Sequence, residues 1–335
     1  MKKLLVIATG GTIASRVSVN GLAPGIPLEQ MLDYVPQIRQ CCKIDSVQLM
    51  NLDSTNMQPN HWLDIAATIY EAYEQYDGFV ILHGTDTLAY TAAALSYLIQ
   101  NSPKPIVLTG SQKPIDQDIS DAKSNITQSV LYASDPASRD VNIVFNGEVI
   151  VGTRGRKVRT KSFNAFSSID FPHKAVIRDH KIIRYIQDST ENDSGKQQLQ
   201  YYDRLDSKVF VLKLIPGVTA DVFTYLKDNY SAIVIEGFGI GGIPFIDELG
   251  FVDKIHELLD NGKVVVLTTQ VPMEGSDFEV YEAGRIFKKD TRIIEAYNMT
   301  LEAIVTKLMW VLGQTKNEQE IRNKFYQQIN YDILL

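Results

Sequence analysis

The chain has 335 residues, enough for about two domains on a prior of roughly 150 residues each, and its 44% hydrophobic and 22% charged content is that of a water-soluble globular protein. A net charge of −7 argues against nucleic-acid backbones and anionic membranes as partners. The two cysteines, Cys41 and Cys42, are adjacent and cannot staple distant segments, which points to a reducing, cytoplasmic setting.

The apolar run after Met1-Lys2-Lys3 stops at Gly10-Gly11, too soon for a signal peptide, and no stretch reaches the roughly 20 apolar residues of a membrane span. With a cytoplasmic setting, the Asn-x-Ser/Thr triplets at Asn125, Asn192, Asn229 and Asn298 are chance matches.

The first half alternates strand-like and helix-like segments, the pattern of a parallel sheet covered by helices on both faces. A strand over 3–8 ends in Ala8-Thr9-Gly10-Gly11-Thr12-Ile13-Ala14-Ser15. The glycines suit a tight turn, but the Lys-Ser or Lys-Thr of a phosphate loop is missing. Loop 13–27, with two glycines and two prolines, reads as a lid over whatever binds there. A second strand, 46–52, runs into Asp53-Ser54-Thr55-Asn56. That cluster offers hydroxyls and amides to a carboxylate, or else turns the chain ahead of a helix over 60–76, where Pro59 suits the first turn.

Strand 78–82 delivers His83-Gly84-Thr85-Asp86-Thr87 to the start of a helix over 87–100. Leu88, Ala92, Leu95 and Ile99 give that helix one apolar face. Asp86 either caps the helix or binds an ammonium, and His83 is expected to pack behind the turn rather than act as a base. A strand over 105–109, a helix over 121–133 and a strand over 141–152 follow. The basic run Gly152-Thr-Arg-Gly-Arg-Lys157-Val-Arg-Thr-Lys161 is a solvated face unless one lysine turns inward as a base.

Residues 188–200 are polar apart from Leu199 and read as a linker. The division expected is a catalytic α/β domain over 1–190, a linker over 191–206 and a smaller α/β domain over 207–335. Strands are expected in the last part at 208–214, 231–236 and 263–269, with helices near 219–228, 246–260 and 300–313. Gly237-Phe-Gly239-Ile-Gly241-Gly242 only loosely imitates a dinucleotide fingerprint, the five histidines are scattered, and no metal-ligand spacing or nucleophile elbow occurs. Neither metal nor cofactor is expected. Ligands of open parallel sheets bind outside the carboxyl ends of the strands, so two threonine turns and a carboxylate there suit amide or ester hydrolysis.

Taken together these motifs resemble the bacterial-type L-asparaginases, specifically the cytoplasmic type I group found in Bacillus-like bacteria. The likeness runs nearly end to end: Thr9-Gly-Gly-Thr-Ile-Ala-Ser15, Asp53-Ser-Thr-Asn-Met57, Tyr76-Asp-Gly-Phe-Val-Ile-Leu-His-Gly-Thr-Asp-Thr87, Thr109-Gly-Ser-Gln112, Gly152-Thr-Arg154 with Lys157, and Met299-Thr-Leu-Glu-Ala303. The resemblance implies a larger amino-terminal α/β domain holding most of the site and a smaller carboxyl-terminal one. It implies Thr12 as nucleophile, and Thr85, Asp86 and Lys157 as supporting residues. Ser54 and Thr55 would hold the substrate α-carboxylate and Asp86 its ammonium, while Gly11 and Gly84 flank amides suited to an oxyanion hole. L-Asparagine is the implied substrate and a homodimer or homotetramer the implied assembly. A glutaminase-type amidase, the asparaginase-like subunit of a tRNA amidotransferase, and a non-catalytic amino-acid-binding protein are the alternatives. The amidotransferase subunit carries an extra amino-terminal domain, whereas this chain enters its first strand within three residues. Two positions depart from many relatives. Leu22 stands where they carry a lid tyrosine, and Gly239-Ile-Gly241-Gly242 where a neighbouring subunit contributes an asparagine; intersubunit roles for Gly242 and Glu279 are correspondingly weak.

Overall fold

Short uninterrupted runs of aliphatic residues make the strands, because only a strand covered on both faces can point apolar side chains both ways. The computed structural model describes residues 1–18, 21–186 and 198–334. Its chain forms two compact units, Met1–Asp203 and Arg204–Leu335. The first is built on an eight-stranded sheet. Lys43–Leu52, Lys3–Gly10, Gly78–Leu82, Pro105–Thr109 and Asp140–Phe145 lie side by side and parallel. Glu148–Val151, Ala175–Arg178 and Lys181–Arg184 extend the sheet antiparallel.

Alternation along each strand fills both faces. Leu4, Val6, Val80, Leu82 and Val107 join Ile126 and Val130 of the helix Ala122–Ser134 in one core cluster. Leu5, Ile7, Phe79 and Ile81 point the other way and are equally buried. The helix Leu88–Leu98, almost wholly buried, contributes nothing to that cluster and packs against Asp140–Phe145.

Several segments differ from the sequence expectation. The run 141–152 is not one strand but a hairpin, turned at Asn146 (φ 51°) and Gly147 (φ 75°). Both residues sit in the left-handed region that a two-residue hairpin turn requires, and Asn-Gly is the pair that tolerates it best. The helix expected over 87–100 stops at Leu98, because Ile99–Gln100 pair with Gln200–Tyr201 in a short antiparallel ladder. Residues 200–201, placed in the linker by sequence, therefore belong to the first unit, and 191–197 lie outside the described residues. Loop 13–27 is largely regular: a 3-10 turn at Thr12–Ala14 leads into a hairpin of Ser15–Ser18 with Gly21–Pro24. The side chain of Leu22 lies outside what is described.

The second unit carries a four-stranded, fully parallel sheet of Val209–Lys213, Ala232–Gly237, Val264–Thr269 and Ile294–Glu295. Ile233, Ile235, Val265 and Leu267 pack with Phe251 and Ile255 of the helix Phe251–Asp260. That helix begins later than the expected 246, since Gly250 is left-handed (φ 66°) and separates it from a 3-10 turn at Asp247–Leu249. In the helix Leu301–Gln314, Lys307 Nζ meets Asp332 Oδ2 at 2.6 Å with both side chains fully buried. Asp332 Oδ1 also accepts from the Ile329 amide at 2.9 Å, which fastens the carboxyl-terminal tail to the helix. Burial pushes the Lys307 pKa down against the pull of Asp332.

Candidate active site

Three neighbouring parallel strands, Lys3–Gly10, Gly78–Leu82 and Pro105–Thr109, run into turns that carry glycine at Gly10-Gly11, Gly84 and Gly110. The turns pack backbone against backbone. A β-carbon on Gly11 would lie 2.4 Å from Gly84 Cα and 2.5 Å from its nitrogen, and Gly11 has φ +87°. One on Gly84 would lie 2.6 Å from Ser54 Oγ, and one on Gly110 2.2 Å from the His83 carbonyl oxygen. Only glycine fits these contacts, and the fit sets the Thr12 turn directly against the Thr85 turn. Thr12 is half-buried at the start of its 3-10 turn. The Gly11 amide donates to the Leu52 carbonyl at 2.9 Å, and Ser15 Oγ donates to the Gly11 carbonyl at 3.1 Å.

Two cations of the basic run turn inward: Arg154 is fully buried, and Lys157 is the one that meets the Thr85–Asp86 turn. Lys157 sits on Gly155–Lys157, paired antiparallel with Phe166–Ser168. Its ammonium donates to Thr85 Oγ1 at 2.8 Å and to Asp86 Oδ1 at 2.6 Å. Only 18% of the Lys157 side chain is exposed, against 54% for Asp86, so the carboxylate remains open to a second cation. Asp86 does not cap the helix: Thr87 occupies that position, and its hydroxyl donates to the Ser54 carbonyl at 2.8 Å. Ser54, buried, accepts from the Asp86 amide through Oγ at 3.2 Å, which leaves its own proton for a ligand.

Thr55 is differently placed. Its amide and its hydroxyl both donate to Asp53 Oδ1 at 2.9 Å, an Asx turn at the head of the 3-10 helix Ser54–Asn56. Of the two hydroxyls expected to hold a carboxylate, the buried Ser54 is therefore the one tied to the Thr85–Asp86 turn.

His83 is fully buried, and desolvation pulls its pKa down to about 4, so it is neutral at physiological pH. Nδ1 lies 2.7 Å from the Gly84 carbonyl and Nε2 lies 2.9 Å from Thr91 Oγ1. A carbonyl only accepts, so Nδ1 carries the proton and Nε2 accepts from Thr91, whose oxygen accepts from Trp62 Nε1 at 3.0 Å. The ring braces the turn from behind, as its place after a buried strand suggested.

Sequence reasoning gave Gln112 no part of its own, yet Thr85 Oγ1 donates to Gln112 Oε1 at 3.2 Å. The signal was Thr109-Gly-Ser-Gln112, a third glycine turn after a third apolar strand. Gly242 and Glu279 belong to the second unit. There Gly242 closes a tight turn with Phe238, and Glu279 pairs with Lys288 at 2.9 Å. Among the described residues no group of His, Cys, Asp and Glu is placed to hold a metal ion, and no helix is long and apolar enough to cross a membrane. Two hydroxyls and a carboxylate at the ends of adjacent strands, with an ammonium brought to them from the Gly155–Lys157 ladder, are a set suited to nucleophilic attack on a carbonyl.

The N-terminal asparaginase model matches residues 3–191, and the glutaminase/asparaginase C-terminal domain matches residues 208–325. The chain is 37% identical over 333 residues to the L-asparaginase of Thermococcus kodakarensis, with 99% of each chain covered. The solved structure of the thermostable L-asparaginase from that organism matches with a TM-score of 0.92. L-asparaginase I of Vibrio cholerae matches with a TM-score of 0.88 at 28% identity, over 100% of this chain and 99% of that one. The chain is also 34% identical over 333 residues to one polypeptide of the glutamyl-tRNA(Gln) amidotransferase of Pyrococcus abyssi, a match that covers 96% of this chain and 74% of that polypeptide.

Proposed function

Since the chain belongs to the asparaginase family of amidohydrolases, both of whose domain models it matches, we propose that it hydrolyses L-asparagine to L-aspartate and ammonia with Thr12 as nucleophile. The observation that carries the reading is the Lys157 ammonium bridging Thr85 and Asp86, on turns packed against that of Thr12. Thr12 Oγ attacks the side-chain amide carbonyl, its proton passing to the leaving nitrogen, and the tetrahedral oxyanion is met by backbone amides. A well-placed donor to that charge is worth roughly 3–4 kcal/mol. The Gly11 amide is already taken by Leu52, so the Thr12 amide beside it is the donor we assign on that turn. Ammonia leaves, and water hydrolyses the aspartyl ester on Thr12. Ser54 receives the α-carboxylate, with Thr55 joining if its hydroxyl leaves Asp53, and the exposed side of Asp86 receives the α-ammonium.

We assign the chain to the cytoplasmic type I, Bacillus-like branch on its motifs and on Leu22, and to a cytoplasmic setting on its unpaired cysteines, Cys41 and Cys42. A homodimer or homotetramer is the assembly we assign by family likeness. Asparagine and glutamine differ by one methylene, worth about 1–3 kcal/mol in a pocket, so glutaminase action is the second activity to assay. The test is ammonia release from both amides by wild type and Thr12→Ala side by side. Release from asparagine that vanishes in the variant supports the assignment; no release by a folded wild type that binds aspartate would favour an amino-acid-binding protein.

A further inference from the structure

On the reading of Thr85 as a catalytic hydroxyl, we propose that Gln112 is the positioning residue that aims it. Thr85 Oγ1 lies between Lys157 Nζ at 2.8 Å and Gln112 Oε1 at 3.2 Å. An ammonium only donates and an amide oxygen only accepts, so the single Thr85 proton points at Gln112 and a lone pair faces Lys157.

The orientation of the Gln112 amide follows from its other end. Nε2 donates to the Ser162 carbonyl at 3.1 Å and approaches the Arg159 carbonyl at 3.5 Å, both in the segment that follows Lys157. Flipping the amide would set its oxygen against two carbonyl oxygens, so Oε1 must face Thr85. The main chain is held as firmly. The Gln112 amide reaches both oxygens of Asp121, at 3.1 and 3.0 Å, and the Lys113 amide reaches Oδ1 at 3.2 Å. Buried Asn125 donates to Asp121 Oδ2 at 3.2 Å and to the Gly110 carbonyl at 2.9 Å. Gln112 thus spans from a braced turn to the Thr85 hydroxyl and to the chain that carries Lys157. Without it, the Thr85 proton loses its acceptor and is free to swing between the positions on Oγ1 that Lys157 leaves open.

Gln112→Met keeps the length of the side chain and deletes both sets of hydrogen bonds. In the full-length protein kcat for asparagine is expected to fall about tenfold or more, with KM within about twofold. Gln112→Asn, too short by one methylene to hold both ends, is the second variant and is expected to show the same split. Thr85→Ser completes a cycle. The serine hydroxyl still has Gln112 in the wild type, so Thr85→Ser costs less there than in the Gln112→Met background, by about tenfold in kcat. Wild-type kcat in Gln112→Met and Gln112→Asn, or additive effects in the cycle, would overturn the proposal. Thr85→Val separates the two levels: full turnover there defeats the assignment of Thr85 itself, whereas an inactive Thr85→Val beside a fully active Gln112→Met defeats only the role of Gln112.

Discussion

Gly11→Ala tests whether the glycine contact between the two threonine turns sets the geometry of the site. The new methyl carbon would start 2.4 Å from Gly84 Cα, whereas carbon atoms rest at about 3.5–4.0 Å, so the turns must part by about 1 Å. A misplacement of that size costs on the order of 100-fold in rate, or about 2.7 kcal/mol of barrier. With φ 87° and ψ −180°, Gly11 is in a region essentially reserved for glycine, which adds about 1–3 kcal/mol of backbone strain for an L-residue, a cost to stability rather than to turnover. The assay is kcat for ammonia release at saturating asparagine, read beside the thermal unfolding midpoint. A folded Gly11→Ala protein with kcat within about threefold of wild type would refute the idea that backbone packing sets the distance between Thr12 and Thr85.

Asp86→Ala removes the partner of Lys157 and the acceptor proposed for the α-ammonium, so KM should rise about tenfold and kcat should fall as well; an unchanged KM would contradict the binding role. His83 stays neutral down to about pH 4 in the fold, whereas an unfolded histidine takes up its proton near 6.5. Between those values the unfolded state binds the extra proton, so this contribution is complete above pH 6.5 and up to about 3 kcal/mol is lost as pH falls to 4. Urea titrations at several pH values should show a shallower acid slope for His83→Gln than for wild type, and equal slopes would remove His83 from the account. Asp332→Ala leaves Lys307 buried without its carboxylate and should cost about 3–5 kcal/mol, whereas the double change Lys307→Met, Asp332→Leu should recover most of it. A loss below about 1 kcal/mol in the single variant would show that Lys307 finds water or another partner.

The central strands were legible because their burial on both faces demands unbroken aliphatic runs, and Phe79-Val-Ile-Leu82 admits no other reading beside a glycine turn. The same rule misled at 141–152, where the apolar runs on either side of Asn146-Gly147 read as one strand although that pair is itself the mark of a hairpin turn. Ile99 completes a helical stripe in sequence but is captured by Tyr201, a partner no local pattern can reveal. At the site, Thr12, Ser54 and Thr85 stood out as hydroxyls beside turns after strands. Nothing in Arg154-Gly-Arg-Lys157-Val-Arg-Thr-Lys161 marks which cation meets Thr85; that is decided by the ladder with Phe166–Ser168, and only family likeness pointed to Lys157. Thr55 looked equivalent to Ser54, yet the short reach of Asp53 claims it, a competition between neighbours that composition cannot weigh.

The sequence holds two tryptophans, and they fall one to each unit. Trp62 ends the hydrogen-bonded chain that runs through Thr91 and His83 to the Gly84 carbonyl, while Trp310 is buried in the helix Leu301–Gln314 with Lys324 over its ring at 5.5 Å. Each unit therefore has its own fluorophore. With Trp310→Phe the remaining emission reports the neighbourhood of the threonine turns alone, and with Trp62→Phe it reports the carboxyl-terminal unit alone. Two single-tryptophan proteins would show optically whether the units melt together or in sequence, and whether substrate is felt at the back of the Gly84 turn.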